Sequence, residues 1–183
     1  MTYTNTLHRV TTDLTLTFDQ LDTFFLLPAA LRAFHPAVGE WCIDEILEHI
    51  TLTNHFLMIT LKQSLDKVLK RAQTRPIPEG ESDLDRIVQI SDPDAFTWIR
   101  PEHMEPTRTV SSDEVRATLH RQRDECLAIL AQIQNGEGSL HQVRMSVQSL
   151  GKLDMYQWMY FLVQHAKRHV VEMERIKDRT NDY

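Results

Sequence analysis

The sequence predicts a single all-α domain, residues 1–183, built as a four-helix bundle. Four stretches repeat apolar side chains at the three- and four-residue spacing of an amphipathic helix. The chain has only five glycines, and 42% of its residues are hydrophobic, a composition that suits long helices better than a turn-rich sheet. A length of 183 residues suits one domain with one sizeable core.

The first helix is predicted over residues 13–27. Its buried stripe consists of Leu14, Phe18, Leu21 and Phe25. Pro28 ends it, because the proline ring clashes with the preceding helical turn. Residues 28–40 then form a turn or a short irregular link.

The second helix is predicted over residues 41–71. Its buried side consists of Ile46, Ile50, Leu57, Leu61, Leu65 and Val68. Cys42 occupies the position of a capping serine or threonine, and Glu45 follows three residues later. A thiol is a poor hydrogen-bond acceptor, so we expect this end of the helix to fray.

The third helix begins at Ser111, which has capping-box spacing to Glu114, and its predicted end is Asn135-Gly136. Its apolar side consists of Val115, Leu119, Cys126, Ile129, Leu130 and Ile133.

The fourth helix takes Asp154 as its cap, has Gln157 three residues later, and runs to about residue 176. Its apolar residues are Trp158, Phe161, Leu162, Ala166, Val170 and Met173.

A long connection, residues 72–110, joins the second and third helices and holds five of the seven prolines. A connection of this length inside a compact domain is typical of a crossover, a lid or a binding loop. Residues 85–90 are predicted to form a helical turn within it.

Charge and apolar content exclude several classes of partner. The net charge is −6, which gives no general attraction to nucleic acid or to anionic lipid. Two basic stretches, residues 67–71 and 167–168, are interpreted as solvated cations near helix ends. No segment reads as a signal peptide or a membrane span. Cys42 and Cys126 are isolated, so no disulfide framework is expected, and we predict a cytoplasmic protein.

Two histidines lie four residues apart on the fourth helix. His165 and His169 are separated by about 40° around the helix axis, so both imidazoles can reach one ion. They share the stripe of Phe161 and Met173, which faces the predicted interior. Taken alone, such a pair more often consists of one buried, hydrogen-bonded histidine beside an exposed one.

A third histidine falls on the inward side of the second helix. His49 lies three residues after Ile46 and one before Ile50. Unpaired imidazoles are unfavourable in an apolar core, and a shared cation would relieve all three at once. We therefore predict one divalent metal ion held by His49, His165 and His169. The other six histidines are interpreted as surface or core residues without a ligand role.

The order of several short motifs resembles the DinB/YfiT-like superfamily over roughly residues 11–178. These motifs are Trp41 and residues 45–50, 101–106, 150–153, 158–161 and 165–169. The resemblance implies a three-histidine site for nickel, zinc or a similar ion at His49, His165 and His169. It also implies an up-down-down-up bundle, with the long crossover between its second and third helices, and a homodimer.

Two positions depart from the family pattern. Cys42 replaces the serine usually expected after the tryptophan, which weakens a cap. Ala166 replaces an acidic residue often seen after the first histidine of the pair, which removes a carboxylate that could support a ligand or move a proton.

Three neutral imidazoles leave at least one coordination position open, as catalytic metal sites do. A bound ion could lower the pKa of a bound water or thiol, or polarise a carbonyl. The resemblance implies a thiol-dependent S-transferase, in which the metal holds a low-molecular-weight thiolate, or a metal-dependent hydrolase or isomerase. We place thiol transfer ahead of hydrolysis.

Two carboxylates are weaker candidates for orienting a ligand or moving a proton. Glu45 lies one turn before His49, and Glu172 lies three residues after His169. Both are also interpretable as solvated helix-surface side chains. The competing functional class is a non-catalytic metal-binding or stress-response bundle, and a third reading is a purely structural bundle whose histidines pair with side chains.

Overall fold

The fold is mostly helical, as the sequence predicts. The computed structural model describes residues 3–97 and 101–181. Its α-helices are α1 (Thr4–Phe24), α2 (Ala29–Arg32), α3 (Ile43–Ala72), α4 (Asp85–Val88), α5 (Ser112–Gln132) and α6 (Met155–Asn181). Two short strands, β1 (Val143–Met145) and β2 (Gly151–Leu153), form an antiparallel pair. The four long helices correspond to the four predicted ones.

The first helix begins much earlier than predicted, at Thr4 instead of residue 13, and ends at Phe24. No side chain of its own caps it. Instead, Glu81 of the crossover accepts the backbone N–H groups of Asn5 and Thr6 at 3.1 and 2.8 Å. The cap therefore comes from a residue distant in the sequence, which explains why the local sequence did not reveal the start of the helix.

The N-terminus of α3 depends on Glu45. The backbone N–H of Cys42 donates to Glu45 Oε2 at 2.9 Å, and Ile43 is fully buried. This bond satisfies the amide of the capping residue, and the Cys42 thiol faces the Glu45 N–H in return, so the two residues form a capping box with a thiol in place of a hydroxyl. The link before α3, predicted as irregular, contains the short helix α2.

The other two long helices confirm their predicted caps and differ in their ends. Ser111 and Glu114 form the predicted capping box at the start of α5. This helix ends at Gln132, before the predicted stop, and Gly136 adopts its positive φ of 100° in the turn that follows. The capping box of α6 is also as predicted, since Gln157 N–H donates to Asp154 Oδ1 at 2.9 Å.

The hairpin of β1 and β2 was not predicted. Each strand is only three residues long, too short to display an alternating pattern in the sequence. The hairpin is fastened to α6, because Trp158 Nε1–H donates to the Val143 carbonyl at 3.2 Å.

The long helices make four contacts with one another, because α1 and α3 each pack against both α5 and α6. Ion pairs join three of these contacts: Asp13–Lys167 (2.8 Å, α1 to α6), Asp22–Arg116 (2.7 Å, α1 to α5) and Lys62–Glu125 (2.6 Å, α3 to α5). The buried apolar side chains of the four long helices form one core.

The crossover, residues 72–110, packs on the helices for much of its length. The predicted helical turn over residues 85–90 is confirmed by α4 and the 3-10 turn Gln89–Ser91, and Ile87 and Ile90 are fully buried. Residues 98–100 of the crossover lie outside the described residues. Within the described ranges, no helix is both long and apolar enough to cross a membrane.

Asp22 fastens α1 to α5 and should make stability depend on acid pH. Hydrogen bonding by Arg116 and then by His120 outweighs the effect of burial and lowers the pKa of Asp22 to about 2. A carboxylate with a lowered pKa in the folded state stabilises it above the unfolded pKa, and the stabilisation is lost as the pH falls toward 2. Because both partners are partly solvated, we expect Asp22→Asn to lower the free energy of unfolding by only about 0.5–1 kcal/mol at pH 7.

Urea unfolding at pH 7 and at pH 2–3 checks this expectation, and the two proteins should converge at the acid end. Asp19→Asn is the matched control on the same helix, because Asp19 is more exposed and lies 3.7 Å from Arg123. An equal loss in both variants would show that the pairing of Asp22 is not responsible.

Candidate metal centre

The three predicted metal ligands come together where α3 and α6 pack. His49 lies on α3, and His165 and His169 lie one turn apart on α6. One ligand atom of each residue lies within 4.8 Å of those of the other two. All three are buried, at 2, 4 and 5% exposure. The inward positions inferred from helical spacing are therefore those in the structure.

Hydrogen bonds fix the tautomers of two of the rings. His49 Nδ1 lies 2.6 Å from the Met104 carbonyl oxygen, and His169 Nδ1 lies 2.7 Å from Glu172 Oε2. A carbonyl oxygen and a carboxylate only accept hydrogen bonds, so each Nδ1 carries the proton. Each Nε2 is then left with a lone pair that can bind a cation.

The third ring is held in its neutral form. Burial is the largest cause that places the pKa of His165 well below its ordinary value, and repulsion by protonated forms of His169 and His49 and by the Arg168 cation lowers it further. Its Nε2 lies 3.1 Å from His169 Nε2, a contact in which one proton is shared between the two rings. Metal ligation needs both nitrogens as lone-pair donors, so a cation would take the place of that proton.

These residues fit a divalent transition-metal ion. Imidazole nitrogens suit zinc and nickel, and tetrahedral sites place their donor atoms roughly 3.3 Å apart, close to the separation of the two α6 nitrogens. Metal-binding histidines characteristically donate their other N–H to a carbonyl or a carboxylate, as His49 does to Met104 and His169 to Glu172. The donor set and its supporting hydrogen bonds are thus of the kind found in metal sites.

A cavity of about 850 Å³ opens from the three histidines. Its walls come from α3, α6, the crossover and the turn between β1 and β2. Thr53, one turn after His49, places its hydroxyl 3.5 Å from His49 Nε2. A molecule entering this cavity would reach the three histidines directly.

The two candidate carboxylates occupy different environments. Glu172 is partly exposed, lines the cavity and accepts the hydrogen bond from His169. Glu45 is absent from the described lining of the cavity. Its oxygens contact Arg108, His35 and the Cys42 N–H. Burial acts to raise the pKa of Glu45, but these partners outweigh it, so the pKa lies below its ordinary value.

The prediction that Arg168 is a solvated cation is wrong. Arg168 is buried at 6% exposure and lines the cavity. Its guanidinium donates to the carbonyls of Asp92, Pro93 and Phe96 at 2.5–3.1 Å and lies 5.0 Å from the centre of the Phe96 ring. Its position three residues after His165, on the inward stripe, was the signal that could have revealed this role.

Two further residues around the site were not predicted to support it. The Trp41 ring packs against His49, with ring centroids 4.9 Å apart. Met104 contributes through its backbone carbonyl, and no side-chain pattern in the sequence reports on a backbone acceptor. Next to Met104, Glu48 anchors the crossover to α3 by accepting the backbone N–H groups of Thr107 and Arg108.

A known protein family matches the chain over most of its length. The sequence model of the DinB superfamily matches residues 7–173. The chain is similar to the uncharacterized protein YuaE of Bacillus subtilis (strain 168), with 25% identity over 146 residues that cover 79% of this chain and 82% of that protein. No solved structure matched significantly. Since the family match covers most of the chain and includes all three histidines, the chain belongs to the DinB superfamily.

Proposed function

We propose that this protein is a metal-dependent enzyme in which His49, His165 and His169 hold one divalent ion, nickel, zinc or a similar metal. The observation that carries the proposal is the convergence of three buried imidazoles at a cavity of about 850 Å³. Structural metal sites are closed by four protein ligands, whereas a three-histidine site leaves a position for a reacting molecule. We place thiol-dependent group transfer ahead of hydrolysis as the reaction.

The protein residues have separable roles in this proposal. Met104 and Glu172 accept the Nδ1–H groups of His49 and His169 and so leave each Nε2 available to the ion. Once bound there, the ion supplies a Lewis acid that lowers the pKa of a thiol or water toward neutrality. Glu172 is the better placed of the two carboxylates to take up a proton, because it borders the cavity while Glu45 is held at the start of α3.

The thiol has to come from a second substrate. Cys126 is fully buried, and burial raises the pKa of its thiol to about 12. Burial also raises the pKa of Cys42. A cysteine that acts as a nucleophile is instead partly exposed with a lowered pKa. Both cysteines of the chain therefore favour a low-molecular-weight thiol as the reacting sulfur.

Metal analysis followed by a substrate panel tests the proposal. The purified protein should retain about one divalent ion per chain after dialysis against metal-free buffer. The loaded protein is then incubated with an electrophile such as a haloarene and a panel of low-molecular-weight thiols, and the loss of free thiol is measured. Metal-dependent thiol consumption supports group transfer. Stoichiometric metal without turnover of these thiols, or of esters and amides, would leave the non-catalytic metal-binding protein as the function.

Glu172→Gln is expected to lower metal affinity by about 10–100-fold, because the carboxylate that orients His169 is replaced by a neutral amide. Competition with a coloured chelator measures the affinity. Glu174→Gln is the matched control, since Glu174 lies on the same helix and pairs with Lys177 away from the histidines. Equal affinity in the Glu172 variant and the wild type would remove the orienting role from this carboxylate.

We also propose that the four long helices form an up-down-down-up bundle. In support, residues near the start of α1 pair with the first half of α6, as Arg9 does with Tyr160, and Phe24 lies near Lys177 toward the other ends. The pairs between α1 and α5 run in the opposite order, Asp22 with Arg116 and Asp19 with Arg123. Homodimerisation stays a prediction that light scattering on the purified protein can test.

A further inference from the structure

The cavity extends away from the three histidines along both α3 and α6. On α3, His49 is followed at successive turns by Thr53, Leu57 and Thr60, all of which line the cavity. On α6, the lining continues backward from His165 through Phe161 to Trp158. At 1.5 Å per residue, the eleven positions from His49 to Thr60 correspond to about 16 Å along the helix axis. The three histidines thus lie toward one end of a long cavity.

The walls beyond the histidines hold a group of apolar side chains, beside the polar Thr60, Ser146 and Gln148. Aromatic rings of Phe56, Phe161 and Trp158 face the space, together with Met145 and Val147 from the hairpin. The one polar group of the Trp158 ring is already used, because its Nε1–H donates to the Val143 carbonyl. Trp158 therefore offers the cavity apolar ring surface.

The nearby cation is engaged by the protein. The guanidinium of Arg168 donates to three crossover carbonyls and lies 3.6 Å from Glu172 through its Nε. These partners use most of its donors, so it is poorly arranged to take a phosphate or a sulfate of a ligand in its fork.

We infer that the cavity takes a head-and-tail ligand: one metal-binding head at the three histidines, and an extended alkyl or aryl tail along Phe161, Trp158 and Thr60. A volume of about 850 Å³ is sufficient for such a molecule. The inference rests on the proposed function, because the head needs the ion, and it adds the chemical class of the substrate. Burial of the tail provides the affinity, and the head provides the position.

A series of hydroxamates with a constant head and a growing tail tests this inference. Acetohydroxamate, butyrohydroxamate and octanohydroxamate are titrated into zinc-loaded protein by calorimetry, and zinc content is measured in parallel. Each fully buried methylene tightens binding by about fourfold, and the octanoyl chain has six more methylenes than the acetyl group. Even if only half of them are buried, octanohydroxamate should bind about 30-fold or more tightly than acetohydroxamate. A carboxylate at the far end of the octanoyl chain should remove most of this gain, since it would be desolvated against the apolar walls.

Thr60→Asp places a charge beside the expected tail and far from the histidines. It should weaken octanohydroxamate binding by about tenfold or more while zinc content and acetohydroxamate binding stay unchanged. Ile59→Asp is the matched control, because Ile59 is the preceding residue on α3, is 40% exposed and is absent from the described lining. It should leave the whole series unchanged.

The outcomes separate this inference from the proposed function. Failure of the wild type to bind either zinc or nickel would overturn the proposed function and the inference with it. If the protein binds zinc but the zinc-loaded protein binds all three hydroxamates with equal affinity, the inference alone is overturned. An equal loss in the Thr60 and Ile59 variants would also count against it, since the effect would not come from the cavity.

Discussion

Replacing His165 with alanine is expected to abolish stoichiometric metal binding. His165 is one of three ligands and lies on the inward stripe of α6, where the other described residues offer no substitute within the cluster. Loss of a residue that merely orients a ligand weakens metal binding by about 10–100-fold, so loss of a ligand should exceed about 100-fold. His49→Ala and His169→Ala should behave alike.

Thermal unfolding gives a second measure of the same effect. An ion that binds only the folded protein stabilises it by about 2.7 kcal/mol when its free concentration is 100 times the dissociation constant. Zinc should therefore raise the Tm of the wild type by several degrees and leave the Tm of each ligand variant unchanged. The helix content of the wild type and of each ligand variant is first compared by circular dichroism, so that loss of metal is not confused with loss of helix.

His55→Ala is the control for histidine removal in general. His55 lies on the same helix as His49 but is exposed and outside the ligand cluster. It should retain full metal content and the full zinc-dependent rise in Tm. Undiminished metal in any one of the three ligand variants would exclude that histidine from the site.

Replacing Arg168 with alanine is expected to lower the free energy of unfolding by about 2–4 kcal/mol. The guanidinium bonds three partly buried carbonyl oxygens of the crossover and packs on Phe96, so alanine removes these charge-assisted hydrogen bonds together with the buried contacts of the side chain. The crossover should loosen where it is held, so amide hydrogen exchange should rise in residues 92–97.

Arg168→Lys separates charge from geometry. A lysine keeps the positive charge but replaces the planar fork with one ammonium, which cannot reproduce bonds to three carbonyls in their present arrangement. It should therefore recover only a small part of the lost stability and protection. Full recovery by lysine would show that charge alone holds this segment, and unchanged exchange in the alanine variant would show that Arg168 does not hold it.

The sequence carried most of the information about the four helices and the three histidines. Helical periodicity depends on residues three and four apart, so a stripe such as Leu14, Phe18 and Leu21 is visible without knowledge of its partner helix. The same spacing placed His49 and the pair on α6 inside the protein. Convergence on one point followed because two inward-facing stripes that pack together must meet.

Long-range polar contacts were the information that local patterns lacked. The bonds from Arg168 to the Asp92 region and from His49 to the Met104 carbonyl join residues more than fifty positions apart. Nothing in the composition of either segment identifies its partner. The hairpin escaped prediction for a different reason, because strands of three residues are too short for a two-residue period to stand out.

The cap that Glu81 places on α1 has a consequence for how the chain folds. The first turn of α1 is completed by a residue about 75 positions downstream, after the whole of α3 has been made. An isolated α1 peptide therefore lacks the group that satisfies its leading amides, and helix nucleation at that end is unfavourable on its own. Docking of the crossover and formation of the first turn should then occur as one cooperative step of high contact order, later than the formation of α3.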